Sequence, residues 1–245
     1  MKLTDSVYLI GSGAVGISSP GDCNVYAVES RGEIALIDCG GAADPSALIR
    51  NLEMDGLKFS SVRSVLLTHA HTDHANAVAF FNNEGIEVYA AEMAKTMLAD
   101  GMRKILSDKN IRFHPVNDFL CSMNHGRVDC VVKDGDVIPV EGLQLKVIST
   151  PGHSEDSVCY CFHTTDGDNL FSGDTVFYHG QISYFENGLS DREKYLESLR
   201  RLSALPVSGL FPGHVLFVVN GAKHHMEEAM SFVAKGQLPP QKCYS

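Results

Sequence analysis

The distribution of apolar and polar residues along the chain predicts short β-strands that alternate with helices. Runs of β-branched and aliphatic residues bounded by Gly, Pro and Ser are typical of strands, and apolar residues at helical spacing are typical of helices that bury one face. The predicted strands are Val7–Ile10, Asn24–Glu29, Glu33–Asp38, Val62–Thr68, Glu87–Ala91, Leu143–Ser149, Val158–Phe162, Asn169–Ser172 and Val207–Phe211. The predicted helices are Asp44–Asp55, Asp73–Glu84, Ala94–Leu106, Asp191–Leu205 and Ala222–Lys235. Strands cluster in both halves with helices between them, which favours a layered α/β fold over a simple alternating βαβ sheet.

Residues 1–245 are predicted to form one domain, because neither a linker nor a short repeat interrupts the pattern. The least regular stretch is Ser107–Lys133, which contains the apolar residues Phe113, Phe119 and Met123. An irregular stretch of this length in a compact domain is usually functional or mobile. We therefore expect segment 107–133 either to form an apolar lid over a site or to pack onto the core.

Composition places the chain among ordinary globular proteins and excludes several function classes. The formal net charge is −10 and 44% of residues are hydrophobic, without a basic cluster. Phosphate neutralisation needs grouped Lys and Arg, so a nucleic-acid partner is not expected. Apolar runs fall short of the roughly eighteen residues that a membrane span needs, and the first residues lack a signal-peptide pattern. Seven cysteines without C-x-x-C spacing predict reduced thiols and a cytoplasmic protein.

A glycine-rich segment near the start resembles a dinucleotide-binding fingerprint. Gly11–Gly16 reads G-x-G-x-x-G, and Asp38 lies 22 residues beyond Gly16, where a ribose-binding acid would fall. Only six residues separate Gly16 from Cys23, whereas a parallel crossover needs about a dozen residues or more. The segment is therefore predicted to be a loop between antiparallel strands.

The strongest chemical signal is segment 68–74, THAHTDH, which joins a buried strand to a helix. Three histidines and an aspartate within six positions lack a packing explanation, because crowding them loses solvation and invites charge repulsion. Imidazole and carboxylate donors together suit zinc, iron or manganese, and zinc most often.

Three later turns carry matching donors directly after predicted strands. The first turn has the sequence TPGHS and contains His153. The second, SGDT, contains Asp174, and the third, FPGH, contains His214. Loops at strand ends are where α/β scaffolds place their sites. Four such turns in one chain predict one metal site.

This set, H-x-H-x-D-H followed by His, Asp and His after later strands, resembles the metallo-β-lactamase-fold hydrolases over Val7 to His214. The resemblance implies a four-layer αββα sandwich with a dinuclear site on one edge. It implies two Zn²⁺, with Fe or Mn as alternatives. By motif, the first metal would be bound by His69, His71 and His153, the second by Asp73, His74 and His214, and Asp174 would bridge both.

The resemblance also implies a reaction. A metal-bridging hydroxide would attack a carboxylic ester, a thioester or a lactone, and Asp73 would orient it and accept a proton. The expected partner is a small-molecule substrate, and a homodimer is the expectation from base rates alone.

Departures from subfamily patterns narrow this expectation. Asp174 stands where zinc β-lactamases carry Cys or Ser, which argues against antibiotic hydrolysis. His71 stands where a flavodiiron-type oxidoreductase has Glu. Segment 175–180 resembles the hydroxyacylglutathione hydrolases, but Ser183 and Phe185 occupy the positions of their Lys and Tyr clamp, so the cation is missing.

Two tyrosines are candidates for substrate binding. In the acyl-homoserine lactonases, a branch of the same family, a tyrosine lies shortly after the bridging Asp. Here Phe177 occupies that position, and Tyr178 comes one residue later. Tyr178 or Tyr184 would hydrogen-bond the substrate carbonyl, or each is a partly buried strand tyrosine. His224 and His225 on the last predicted helix are expected at the surface.

Two other reaction classes remain open from the sequence. A mononuclear iron persulfide-type dioxygenase would use the equivalents of His69, His153 and Asp174 and leave the second metal site empty. The other open class is a small-molecule phosphodiesterase. The ligand set for the second metal, Asp73, His74 and His214, is complete, which favours two metals and hydrolysis.

Overall fold

The computed structural model describes residues 1–100, 126–164, 167–186 and 188–242, with the backbone alone at 99 and 100. Two compact units make up the chain. The first contains Met1–Val132 and Val140–Gly142, and the second contains Lys133–Pro139 and Leu143–Ser245. The predicted lid is segment 107–133. Its residues up to position 125, including Phe113, Phe119 and Met123, are outside the described residues, so the lid stays a prediction.

The first unit is built on a six-stranded sheet with the order β1-β2-β3-β4-β5-β6. Its strands are β1 (Val7–Gly11), β2 (Val25–Ser30), β3 (Glu33–Ile37), β4 (Val62–Leu66), β5 (Glu87–Ala91) and β6 (Cys130–Val132). Strands β1 to β3 are antiparallel neighbours, whereas β3 to β6 are parallel. The glycine-rich segment therefore joins antiparallel strands, as predicted. The sequence does not predict β6, which lies within the least regular stretch, Ser107–Lys133, and pairs with β5.

The α-helices in the described part of the first unit are α1 (Pro45–Met54), α2 (Thr72–Ala75), α3 (Val78–Asn83) and α4 (Glu92–Asp100). Pro45 stands at the start of α1, where a fixed φ and a missing N–H cost nothing. The prediction of one continuous helix over Asp73–Glu84 is wrong. The Ala77 N–H donates to the Gly40 carbonyl at 3.3 Å, and the Asn76 amide donates to the Gly41 carbonyl at 3.0 Å. These bonds to a neighbouring loop end α2 and begin α3.

The second unit is built on a five-stranded sheet with the order β11-β10-β9-β8-β7. Its strands are β7 (Val137–Val140), β8 (Leu143–Ser149), β9 (Val158–Thr164), β10 (Gly167–Gly173) and β11 (Val207–Pro212), and its helices are α5 (Arg192–Ser203) and α6 (Ala222–Val233). Both units thus combine a sheet with helices, which agrees with the predicted α/β class. Within the described residues, no helix has the length and apolar character needed to cross a membrane.

The pairing within this sheet brings three strand ends together. β9 is antiparallel to both β8 and β10, and β10 is parallel to β11. Strands β8, β10 and β11 therefore run in the same direction, and their carboxyl ends lie at one edge. His153, Asp174 and His214 follow these ends, so the topology collects the donors of three distant turns.

Helices α5 and α6 close the core of the second unit. Tyr195, Leu199 and Met226 are buried among Leu170 and Leu210 of the sheet. Burying such side chains contributes about 1.5–3 kcal/mol each relative to exposure. The Asp191 carboxylate accepts the Lys194 N–H at 3.1 Å, which caps the start of α5.

Gly152 sets the turn that precedes His153. Its φ is +149°, and a Cβ there would lie 2.4 Å from the Tyr195 Cα of α5. Its carbonyl accepts the Asp191 N–H at 2.9 Å. The turn therefore packs directly against the start of α5, and only glycine leaves room for that approach.

We expect Gly152→Ala to lower the free energy of unfolding by about 3 kcal/mol, because backbone strain and overpacking act together. The matched control is Gly135→Ala, whose φ is +85° but whose Cβ would meet open space, and it should lose only about 1–2 kcal/mol. Urea unfolding of both variants measures the difference. Equal losses would show that the contact with α5 does not constrain the turn.

Candidate metal centre

In the first unit, Asp38 fixes the orientation of His74. The His74 Nδ1 donates to Asp38 Oδ2 at 2.8 Å, and both side chains are buried. The other ring nitrogen, Nε2, lies 3.6 Å from Asp73 Oδ2. A carboxylate that holds Nδ1–H leaves the lone pair on Nε2, which is how metal-binding histidines are oriented.

The same carboxylate also orients His69 through Thr68. Thr68 donates its backbone N–H to Asp38 Oδ1 at 2.7 Å and its hydroxyl to Asp38 Oδ2 at 2.8 Å. With its own proton committed to Asp38, the Thr68 oxygen accepts from His69 Nδ1 at 3.1 Å. His69 therefore also carries its lone pair on Nε2.

His71 completes the group in the first unit. His69 Nε2 and His71 Nδ1 are 3.0 Å apart, and both imidazoles are buried. The ring centroids of His69 and His74 are 4.1 Å apart. Two donors on one zinc ion lie about 3.4 Å apart, given metal–ligand lengths near 2.1 Å and a tetrahedral angle. The pairs His69–His71 and Asp73–His74 have separations of this size.

In the second unit, a backbone carbonyl orients His153. Its Nδ1 donates to the Ser183 carbonyl at 2.7 Å, and the imidazole is buried. Because a carbonyl only accepts, the proton is on Nδ1 and the lone pair is on Nε2. Nε2 lies 3.7 Å from Asp174 Oδ2.

Asp174 has a different histidine near each of its oxygens. Oδ2 faces His153, and Oδ1 lies 3.5 Å from His214 Nε2. The Gly213 N–H donates to the Gly173 carbonyl at 2.8 Å, which joins the two turns. The Tyr195 hydroxyl donates to the Asp174 carbonyl at 2.8 Å. A carboxylate placed between two imidazoles in this way can bridge two cations.

Sequence reasoning missed one cation of the second unit. Lys242 Nζ lies 3.1 Å from Asp174 Oδ2, and its side chain is only 2% exposed. In the sequence, Asp38 stands out only as the acidic residue that follows the glycine-rich segment Gly11–Gly16. A polar residue at the end of the buried strand β3 was the available signal for Asp38, whereas the local sequence around Lys242 carries none.

The surroundings of two buried cysteines, Cys23 and Cys159, disfavour the thiolate form. Burial raises the pKa of Cys23 to about 12, although His74 nearby acts in the opposite direction. Burial also raises the pKa of Cys159 to about 11, against hydrogen bonds from Thr150 and Thr175. In the metal-free protein, thiols with such pKa values stay protonated and pack as small core residues.

A further histidine group lies on α6 and the turn Tyr178–Gly180. His179 Nδ1 lies 3.0 Å from Glu228 Oε2, and the His179 N–H donates to His225 Nδ1 at 3.1 Å. Burial lowers the pKa of His225, and the acceptor role of its Nδ1 ties the turn to α6. The expectation that His225 lies at the surface is wrong, since it is buried, whereas His224 is exposed.

The two candidate tyrosines lie in different surroundings. Tyr178 packs against the rings of His179 and His225, with centroid distances of 4.2 and 4.6 Å. The Tyr184 N–H donates to Gln241 Oε1 at 2.9 Å, and its ring lies 6.3 Å from that of Tyr195. Their roles in substrate binding stay predictions.

The structure thus brings the predicted donors together within each unit. His69, His71, Asp73 and His74 share the first unit, and His153, Asp174 and His214 share the second.

Comparison with known proteins identifies similar sequences. The family model described as metallo-beta-lactamase superfamily matches residues 18–214. An acyl-coenzyme A thioesterase, MBLAC2 of Homo sapiens, is 31% identical over 236 residues, covering 88% of this chain and 80% of the relative. A hydroxyacylglutathione hydrolase of Rhodopseudomonas palustris is 31% identical, covering 76% of this chain and 58% of the relative. An atrochrysone carboxyl ACP thioesterase of Aspergillus fumigatus is 29% identical, covering 80% and 52%.

Solved structures show the same fold. A metallo-beta-lactamase family protein of Thermus thermophilus is 26% identical with a TM-score of 0.69, covering 94% of this chain and 80% of that one. BJP-1, a subclass B3 metallo-beta-lactamase of Bradyrhizobium japonicum, is 20% identical with a TM-score of 0.72, covering 96% and 90%. The second likeness concerns the fold alone. The predicted fold class, an α/β metallo-β-lactamase fold, is confirmed.

We expect Asp38→Asn to lower the free energy of unfolding by about 1–3 kcal/mol, because an amide has one oxygen for three donors and leaves at least one of them unsatisfied. The His74 proton should also move from Nδ1 to Nε2, which ¹⁵N chemical shifts of the imidazole measure.

The matched control is Asp22→Asn. Asp22 is also buried, but its oxygens accept backbone N–H groups of Ser19 and Gly41. This control should lose stability without changing the His74 tautomer. An unchanged tautomer in Asp38→Asn would contradict the role assigned to Asp38.

Proposed function

The chain belongs to the metallo-beta-lactamase superfamily, and on this premise we propose that it is a zinc-dependent hydrolase of thioesters. Carboxylic esters and lactones are the related substrates to test beside them. The observation that carries the proposal is the fixed orientation of the buried imidazoles, each with a nitrogen lone pair at ligand distance from a carboxylate or a second imidazole. Such an arrangement costs solvation unless a cation shares the donors.

The residues of the chain fit a dinuclear zinc centre by their chemistry. The donors are neutral imidazoles and carboxylates, which zinc prefers. Asp38, Thr68 and Ser183 supply the outer hydrogen bonds that hold such ligands in place. We assign His69, His71 and His153 to one ion, Asp73, His74 and His214 to the other, and Asp174 to both.

When bound, the two zinc ions would supply Lewis acidity that lowers the pKa of water and polarises the substrate carbonyl. Asp73 would hold the attacking water and accept its proton at a carboxylate oxygen. The Asp73 side chain is 23% exposed, so it can reach a substrate that enters from solvent, whereas His74 beside it is fully buried.

Thioesters are favoured among the ester-type substrates by the named activities of the relatives. Two of the relatives are named thioesterases. A third is named hydroxyacylglutathione hydrolase, and an acylglutathione is a thioester. The chain spans about half to three fifths of the length of the first curated relatives, 52% to 62%. Their acyl carriers therefore do not transfer directly, and we propose only a small-molecule thioester.

Zinc-loaded protein should hold close to two zinc ions per chain and hydrolyse acyl thioesters. Elemental analysis measures the metal, and release of free thiol measures turnover against matched lactones and phosphodiesters. Treatment with a chelator should abolish turnover, and added zinc should restore it. One iron per chain with oxygen uptake on a persulfide substrate would replace this proposal by dioxygenase chemistry.

We expect Asp73→Asn to reduce kcat by about 10²–10⁴-fold in zinc-replete protein, since an amide does not accept the proton. The control is Asp5→Asn, whose carboxylate is 96% exposed and which should leave kcat unchanged. Metal content is measured in the same samples. Undiminished turnover of a fully loaded Asp73→Asn protein would remove Asp73 from the mechanism.

A further inference from the structure

The last described residues of the second unit are anchored beside the turn that follows Asp174. The Ile182 N–H donates to the Pro240 carbonyl at 3.0 Å, and the Lys242 N–H donates to the Ile182 carbonyl at 2.8 Å. Gln241 adds a side-chain bond, because its Oε1 accepts the Tyr184 N–H at 2.9 Å. Backbone and side-chain bonds together fix where Lys242 enters the protein.

The Lys242 ammonium is held in place from two sides. Nζ lies 3.1 Å from Asp174 Oδ2 and 4.6 Å from the centre of the Phe177 ring. The side chain is 2% exposed, and lysine is rarely so buried unless it is paired. A cation that is buried, stacked on an aromatic ring and carried by an anchored segment does not move into solvent easily.

The ammonium shares a carboxylate oxygen with the proposed metal centre. Oδ2 of Asp174 also faces His153 Nε2 at 3.7 Å, and Oδ1 faces His214 Nε2 at 3.5 Å. A metal bound between Asp174 and either histidine would lie close to a fixed positive charge. Like charges at short range inside a protein repel strongly, because the surroundings screen them less than water does.

We propose that Lys242 is an internal counter-ion of Asp174 that determines how tightly the chain holds its metal. The inference rests on the proposed role of Asp174 as a metal ligand. The ion pair between Lys242 and Asp174 stabilises the metal-free protein. Repulsion between the Lys242 ammonium and a bound metal ion destabilises the metal-bound protein. Both effects act in the same direction, so Lys242 weakens metal binding and keeps the metal exchangeable.

The test compares Lys242→Met with wild type in zinc titrations against a competing chelator, without substrate. The variant should bind zinc about tenfold more tightly or better, because the repelling charge is gone. Its metal-free form should melt at a lower temperature, because the Asp174 carboxylate loses its buried partner. The rise in Tm on adding zinc should therefore be larger than in wild type.

The matched control is Lys235→Met. Lys235 also lies over a phenylalanine ring, with Nζ 5.9 Å from the centre of Phe232, and it is exposed two residues beyond the end of α6. The zinc affinity of the Lys235→Met protein should equal that of wild type. If Lys242→Met does not fold, Lys242→Gln removes the charge but keeps a donor on the side chain, and it is measured in the same way.

Two results would overturn the inference. An unchanged zinc affinity of the Lys242 variant would give the lysine a purely structural role. An affinity weakened by about 10–100-fold, as when an orienting partner of a ligand is lost, would make it a positioning residue. If the chain hydrolyses no thioester while the variant binds zinc more tightly, the proposed function fails and the inference stands.

Discussion

The site depends on one requirement, that a buried imidazole must have its N–H satisfied. His74 meets it with Asp38, His69 with Thr68, and His153 with a backbone carbonyl. Each bond fixes the ring and its tautomer together, so the second nitrogen faces inward as an acceptor. The geometry of the imidazole donors is therefore set by hydrogen bonds to groups that would not contact the metal themselves.

These hydrogen bonds explain features of the surrounding fold that otherwise work against stability. Asp38 has a φ of +61°, a strained backbone for a residue with a Cβ, yet its carboxylate accepts three hydrogen bonds there. Gly152 makes a close approach to α5 possible and sets the turn before His153. In both turns, an unusual backbone conformation is stabilised by contacts that hold a functional side chain.

Charge is arranged differently in the two units. In the first, the carboxylate of Asp38 lies behind His74 and holds its proton on Nδ1, so that Nε2 is the acceptor. In the second, Lys242 lies beside Asp174 and reduces the availability of that carboxylate. In each unit, a charged residue outside the ligand set therefore acts on the donors, and the donor types alone do not determine the affinity for a cation.

Much of the fold and of the donor set could be read from the chain, because both depend on local patterns. Apolar periodicity located most strands and helices, and the donors stand directly after strands in short turns. The break between α2 and α3 was missed because bonds to the loop at Gly40 and Gly41 cause it. Strand β6 was missed because only three residues pair with β5.

The sequence by itself determined the family, the α/β class and which residues could bind a metal, since these follow from residue types at fixed spacing. Only the tertiary structure decided which groups orient those residues. Asp38 meets His74 across 36 positions, Ser183 meets His153 across 30, and Lys242 meets Asp174 across 68. No local pattern carries contacts at such separations, because they arise only when a sheet brings distant parts of the chain to one edge.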